Sequence, residues 1–366
     1  MNNKPPKNWN RVTLGEILDY ERPDKYIVSS EEYNDSYKTP VLTAGKTFIL
    51  GYTDENDGIY ENIPVIIFDD FTTESKYVDF NFKVKSSAMK ILKAKNNTTL
   101  KYLYYLMQTI PFNHETHKRY WISEYSKLKI DIPEKIEEQQ EIVQVLDTIS
   151  DIIRLREECI SHAQDLIPAL FQEMFGNPQT NKKNLNKVKV GNILTLSSGK
   201  FLPAKEMDEN GIYPVYGGNG INGHHNEYMF EEPQLCIGRV GVKCGCVHLT
   251  EPKSWITDNA LYINKLLKPL NIIYLKEALT QINLNQYAKR AAQPVISQTT
   301  IYNQYILEPS IELQEQFAQK AIEIESYIEE QQEELENAKQ MFQSLLHHAF
   351  TGELTKHKFG VTNEKK

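Results

Sequence analysis

The stretch IVQVLDTISDIIRLREECISHAQDLIPALFQEM, residues 142–174, decides the architecture, because alternate steps of four and three residues along it land almost entirely on apolar side chains. The positions reached are Ile142, Leu146, Ile149, Ile153, Arg156, Ile160, Ala163, Ile167, Leu170 and Met174, nine of ten apolar. A period of about 3.5 residues is the seam of a coiled coil. Moving 175 residues on gives FAQKAIEIESYIEEQQEELENAKQMFQSLLHHA, residues 317–349, with Phe317, Ala321, Ile324, Ile328, Gln331, Leu335, Ala338, Phe342, Leu345 and Ala349 in the same slots. Again nine of ten are apolar, and the polar exception returns in the same slot, Gln331 for Arg156. The coincidence predicts two rods packed on each other antiparallel, with the polar slots meeting near the middle and fixing the register. At about 1.5 Å per residue each seam spans on the order of 50 Å. Pro168 removes a helix hydrogen bond, so a kink or break is expected between Leu166 and Ala169.

The duplication extends outward from the rods. Val12, Leu14, Ile17 and Leu18 return as Val188, Val190, Ile193 and Leu194, and Glu138-Gln139-Gln140-Glu141-Ile142 returns as Leu313-Gln314-Glu315-Gln316-Phe317. Leu170 with Phe175 returns as Leu345 with Phe350. Pro133 and Pro309 each precede a rod. Within each globular part, β-rich runs such as Val65-Ile66-Ile67-Phe68 and Leu235-Cys236-Ile237 lie between Gly, Asn and Asp turns, and a helical run follows at residues 100–109 or 271–281. The fold class read from this is α+β, a pseudo-two-fold internal repeat of two similar mixed α/β domains and two long helices. The expected boundaries are 1–133 and 177–309 for the domains, 134–176 and 310–352 for the helices, and 353–366 for a tail, with a hinge in the Asn- and Lys-rich segment 176–187.

At 366 residues the chain is too long for one ordinary core, which agrees with two domains. It has no run of about 18 apolar residues and no apolar stretch at its start, so neither a membrane span nor a signal peptide is expected, and the reading is cytoplasmic. Four cysteines, Cys159, Cys236, Cys244 and Cys246, are too few for a disulfide framework. The net charge of −8 argues against nucleic acid until it is divided along the chain. Segments 134–176 and 310–366 carry −7 and −5, while 1–133 is neutral and 177–309 carries +4. The globular parts are therefore free to offer basic faces to phosphates.

Several strings suggest catalysis and fail on context. Thr43-Ala44-Gly45-Lys46-Thr47 lacks the earlier glycine of a phosphate loop, where Pro40 stands. Gly218-Asn219-Gly220-Ile221-Asn222-Gly223 fits GxGxxG but opens no helix. His114-Glu115-Thr116-His117 is one residue short of the zinc-protease spacing. Cys236, Cys244 and Cys246 lack a second close-spaced pair for zinc, and no Asn-Pro-Pro-aromatic string of an amino-methyltransferase occurs. No catalytic centre, metal or cofactor is expected in this chain.

Pro40 to Lys46, Ile66 to Phe71 and Phe82 to Met89, repeated in order as Pro214 to Gly220, Ile237 to Gly241 and Thr257 to Ala260, resemble the target recognition domains of the specificity subunit of type I restriction-modification systems. Pro133 to Gln140 and Pro309 to Gln316 are similar to that family's spacer-helix starts. The resemblance covers nearly the whole chain. It implies a non-catalytic subunit that reads a bipartite, asymmetric sequence of double-stranded DNA, one half-site per domain. It also implies two methyltransferase subunits bringing S-adenosylmethionine and two restriction subunits using ATP and Mg to translocate and cut.

The loops diverge while the framework recurs, with Asp69-Asp70-Phe71 opposing Gly238-Arg239-Val240 and Lys85-Ser86-Ser87 opposing Thr257-Asp258-Asn259. Base edges are read by Arg, Lys, Asn, Gln or Ser, and phosphates by basic groups. The DNA-binding candidates are Lys46, Lys76, Lys85, Ser86, Ser87, Lys118 and Arg119 in the first half, and Asn219, Arg239, Lys243, Lys289, Arg290 and Gln293 in the second. Surface solvation is the alternative for each lysine, a turn hydrogen bond for Ser86, Asn219 and Asn259, and core packing for Tyr120 and Trp121. Arg239 is favoured because Gly238 and Gly241 allow close backbone approach, and Lys118-Arg119 and Lys289-Arg290 because they occupy matching positions after the helical run of each half. Two competing readings remain, a stand-alone sequence-specific DNA-binding protein and a self-contained metal-dependent nuclease using Asp70, Glu74 and Lys76.

Overall fold

The computed structural model describes residues 5–45, 47–95, 98–112, 119–289 and 293–355. The chain divides into two compact units, one formed by the residues up to Leu155 with those from Glu334, the other by Arg156–Glu333.

The first unit contains β1 (Trp9–Thr13), α1 (Leu14–Ile17), β2 (Leu18–Glu21), β3 (Thr39–Leu42), β4 (Ile49–Thr53), β5 (Val65–Asp69), β6 (Ser75–Val78), β7 (Lys83–Val84), β8 (Met89–Ala94), α2 (Leu100–Gln108) and β9 (Lys129–Pro133). An antiparallel sheet runs in the order β2-β8-β5-β6, a second runs β4-β3-β7 with β3 and β7 parallel, and β1 pairs with β9. The run Val65-Ile66-Ile67-Phe68 explains the layering. Ile66 and Phe68 pack with the helices, while Val65 and Ile67 face Leu42 and Val84 of the second sheet and Phe82 just before β7. A strand buried on both faces needs apolar side chains at both phases of its two-residue period.

After Pro133 come α3 (Ile136–Gln164) and α4 (Leu166–Phe175). The second unit continues with β10 (Lys187–Lys189), β11 (Leu194–Ser198), β12 (Tyr213–Gly217), β13 (Gly220–His225), β14 (Leu235–Gly238), β15 (Val247–Leu249), β16 (Trp255–Ile256), β17 (Ala260–Leu266), α5 (Ile272–Gln281), α6 (Gln298–Tyr302), β18 (Tyr305–Leu307) and α7 (Ile311–Phe350). Its sheets repeat the first unit strand for strand, in the orders β11-β17-β14-β15, β13-β12-β16 and β10-β18. The bulge of the three-stranded sheet recurs, after Val41 and after Val215, while the one after Thr195 belongs to the second unit alone among the paired strands. The fold is therefore a duplicated mixed α/β architecture joined to long helices.

Within the first unit, Ile142 and Leu146 of α3 share a core with Phe342, Leu345, Leu346 and Ala349 of α7. Within the second, Phe171 and Phe175 of α4 pack on Phe317 of α7 at 5.7 Å between ring centres, and Arg156 donates to the Gln331 side-chain oxygen at 2.8 Å. Early residues of one helix meet late residues of the other in both units, so the stretches run antiparallel. All twenty seam positions are buried or half-buried, Ile149, Ile153, Ile160, Ile167, Ile324, Ile328 and Leu335 among them. The helix breaks at Asp165, one residue before the expected window. Pro168 lacks the N–H that would reach the Gln164 carbonyl, so α3 ends there.

The recurring Gln139 and Gln314 are buried clamps. The Gln139 side-chain oxygen accepts from the Thr99 N–H at 2.9 Å, and its amide donates to the Pro133 carbonyl at 3.1 Å. Gln314 repeats this on the Asn271 N–H and the Pro309 carbonyl, both at 3.0 Å. One carboxamide thus ties the segment leaving the last strand, the start of α2 or α5 and the long helix together. Replacing Gln314 with Leu leaves backbone groups unpaired, so urea denaturation should show a loss of about 1–3 kcal/mol. Exposed Gln316→Ala should stay within about 0.5 kcal/mol of the parent.

Candidate nucleic-acid interface

The second unit gathers several candidates in one place. Asn219, Lys243 and Gln293 line an open cleft of about 480 Å³ with Asn222, Val242 and Asn259. Asn219 occupies the tight turn between β12 and β13, where Gly220 has φ +96°, so the GxGxxG string is a β-hairpin. Asn259 lies in the turn between β16 and β17, and its carbonyl accepts the Arg239 N–H at 2.8 Å. The Arg239 carbonyl in turn accepts the Ile296 N–H at 2.9 Å, which pins residue 239 beside the cleft, half-buried. Of the glycines around it, Gly241 has φ +98° with open space where a Cβ would stand, and Gly238 serves the chain itself. A Cβ at Gly238 would sit 2.0 Å from the Gly218 carbonyl oxygen, so the close backbone approach is internal. Lys289 is exposed, its N–H donating to the Val295 carbonyl at 3.0 Å, and Arg290 lies outside the described residues.

In the first unit the candidates are less concentrated. Lys76 is half-buried on β6 opposite Ile67. Lys85 forms an ion pair with Glu31 at 2.6 Å, which raises its pKa. The Ser86 hydroxyl accepts from the Ala88 N–H at 3.3 Å, a turn contact, and Ser87 is half-buried beside it. Arg119 is exposed, while Lys46, Lys118 and the string His114 to His117 lie outside the described residues. Tyr120 and Trp121 are core residues, with Trp121 5.2 Å from Phe68.

Matching backbone bonds correct one sequence alignment. Asp70 accepts from the Tyr120 N–H as Arg239 accepts from the Ile296 N–H, which equates Arg119 with Val295 rather than Arg290. Thr99 and Asn271, held by the two glutamine clamps, are 172 apart, whereas Tyr120 and Ile296 are 176 apart. A four-residue length difference in the intervening loop therefore shifted the apparent match.

Asp70 is the counterpart of Arg239, and its surroundings decide its role. It is buried, ion-paired with buried Lys90 at 2.8 Å, and accepts the Trp121 N–H at 2.8 Å. A carboxylate so occupied is a scaffold element, which removes it from the nuclease reading. Among the described residues no group of three His, Cys, Asp or Glu side chains is placed to hold a metal ion. Burial pushes the Cys236 thiol up to about 12 and also raises Cys244, so these sulfurs remain thiols. Burial, with Lys276 and Lys243 nearby, lowers the His248 pKa. No helix of the described residues is long and apolar enough to cross a membrane.

The family profile "Type I restriction modification DNA specificity domain" matches residues 6–162 and 182–340, one copy on each half. The chain belongs to that family. It is 56% identical over 148 residues to the Escherichia coli type I restriction enzyme EcoR124I/EcoR124II specificity subunit, covering 37% of each chain. It is 30% identical over 201 residues to the Escherichia coli EcoprrI specificity subunit, covering 50% of this chain and 48% of that one. The chain thus spans less than half the length of these relatives in the matched regions. The type I restriction-modification S subunit from M. genitalium superposes with a TM-score of 0.65 at 18% identity, over 96% of this chain and 97% of that one. A structure described as the basis of complex assembly and conformational transition of the type I R-M system gives a TM-score of 0.57 at 16% identity, over 96% and 100%. These two likenesses bear on the specificity-domain fold.

Two substitutions test these assignments. Lys90→Ala strands the buried Asp70 carboxylate and should cost about 3–5 kcal/mol in denaturation of the purified chain. For Arg239→Ala, binding to the specific duplex should fall by about 1–3 kcal/mol with discrimination relaxed in one half-site; an unchanged base preference removes it from the readers.

Proposed function

We propose that this chain is the DNA sequence-specificity subunit of a type I restriction-modification enzyme, reading a bipartite, asymmetric target with one half-site per recognition domain. The observation that carries this is the duplicated scaffold with divergent loops. The same strand order, the bulge of the three-stranded sheet and the glutamine clamps occur twice, whereas Asp70–Lys90 in one half stands opposite Arg239 and Leu261 in the other. Two copies of one frame with different rims suit two different half-sites. Residues 1–133 and 177–309 act as the recognition domains, 134–176 and 310–352 as spacer helices, and 353–366 as a tail.

In this reading the subunit is non-catalytic. The helices, which hold the acidic charge, suit protein partners better than DNA, and they carry exposed apolar residues such as Leu155, Ile322 and Met341. Two methyltransferase subunits would bring S-adenosylmethionine and two restriction subunits would use ATP and Mg, in the cytoplasm. The base and phosphate contacts come from the loop residues named above, Asn219, Arg239, Lys243 and Gln293 foremost.

Mapping methylated adenines across the host genome with and without this chain tests the function. Deletion should abolish methylation at a two-part motif with an unread gap, and persistence of that motif would exclude this subunit as its reader.

A further inference from the structure

The cleft of the second unit is lined by four side-chain carboxamides, Asn219, Asn222, Asn259 and Gln293. They come from the β12–β13 turn, β13, the β16–β17 turn and the loop before α6. All four are exposed, and among the described residues none uses its side chain in a hydrogen bond. Some asparagines elsewhere in the fold have their side chains occupied. Asn34, Asn177, Asn181 and Asn271 accept from backbone N–H groups within four residues, and Asn285 donates to the Val242 and Cys244 carbonyls. Turns, a helix start and a contact between distant loops occupy those five, whereas the four cleft amides converge from separate segments with their side chains open to a ligand.

A carboxamide places a donor beside an acceptor, the complement of the N6 donor and N7 acceptor of adenine in the major groove. Asn259 is best prepared for this pairing, since its backbone is held by Arg239. Beside it Val242 is 84% exposed, an apolar group at the cleft rim suited to the thymine methyl. Lys243 is exposed next to it and suited to a phosphate. The first unit lacks this set, because backbone pairing places Ala88 where Asn259 stands, and Leu50 at the bulge where Asn222 stands.

We propose that this cleft reads an A·T base pair, with the Asn259 carboxamide on the adenine edge, supported by its amide neighbours, and Val242 on the thymine methyl. The proposal rests on the specificity function above and adds the base pair and its readers. The experiment is selection from randomised duplexes by the complex this chain forms with its methyltransferase subunits. The parent should select a bipartite motif, and Asn259→Ala should lose preference at one A·T position by roughly 5- to 150-fold while the other half-site is kept. With unaltered protein, 7-deazaadenine at that position should weaken binding, and deoxyuridine for its thymine should weaken the parent but not Val242→Ala. The proposal is overturned if alanine at each of the four amides leaves every A·T preference intact, or if the relaxed position is G·C. A parent complex that selects no motif would instead remove the specificity function and this proposal with it.

Discussion

In each unit a buried glutamine carboxamide, Gln139 or Gln314, joins the segment leaving the last strand, the start of a domain helix and the first turn of a long helix. The constraint is severe because both backbone groups it satisfies would otherwise lack a partner. Three residues further on, Ile142 and Phe317 are fully buried, so the clamp and the first seam residue share a helix face. The direction in which each helix leaves its domain is therefore set where the seam begins. Burying each such seam side chain contributes about 1.5–3 kcal/mol, which makes the clamp and the seam mutually supporting.

Around this frame the two units divide their residues between permanence and change. Strand interiors such as Ile66 and Ile237 are buried and alternate between two apolar layers. Strand ends and turns differ. The buried Asp70–Lys90 pair with the Trp121 N–H closes one sheet end, whereas the second unit places Arg239 and Leu261 there and opens a cleft beside them. A frame whose stability comes from the interior can vary its rim at small cost, the condition for reading different targets with one fold.

The period-3.5 seam, the β-rich runs and the duplication were legible because burial imposes a repeating pattern on residue type. The pairing of Arg156 with Gln331 was legible for the same reason, since one polar slot interrupts an apolar stripe twice. The candidate site was less so. Lys85 looked available until Glu31 met it, Gly238 beside Arg239 serves internal packing, Asn259 stood in a divergent loop with a turn hydrogen bond as its alternative, and Asn222 and Val242 gave no signal, because an asparagine in a strand or a lone valine has many uses. The match of Lys118-Arg119 to Lys289-Arg290 failed because loop length varies freely between fixed elements.

The sequence by itself determined the duplicated α+β frame, the two helices and their antiparallel register, since each follows from hydrophobic period and repeat spacing. Only the tertiary structure decided that Gln139 and Gln314 are clamps, that Asp70 is locked by Lys90, and that four amides from separate segments share a cleft. Those facts depend on contacts between residues distant along the chain. Such contacts leave no periodic trace in the sequence, because a buried pair or a shared cleft constrains only the few residues that meet there.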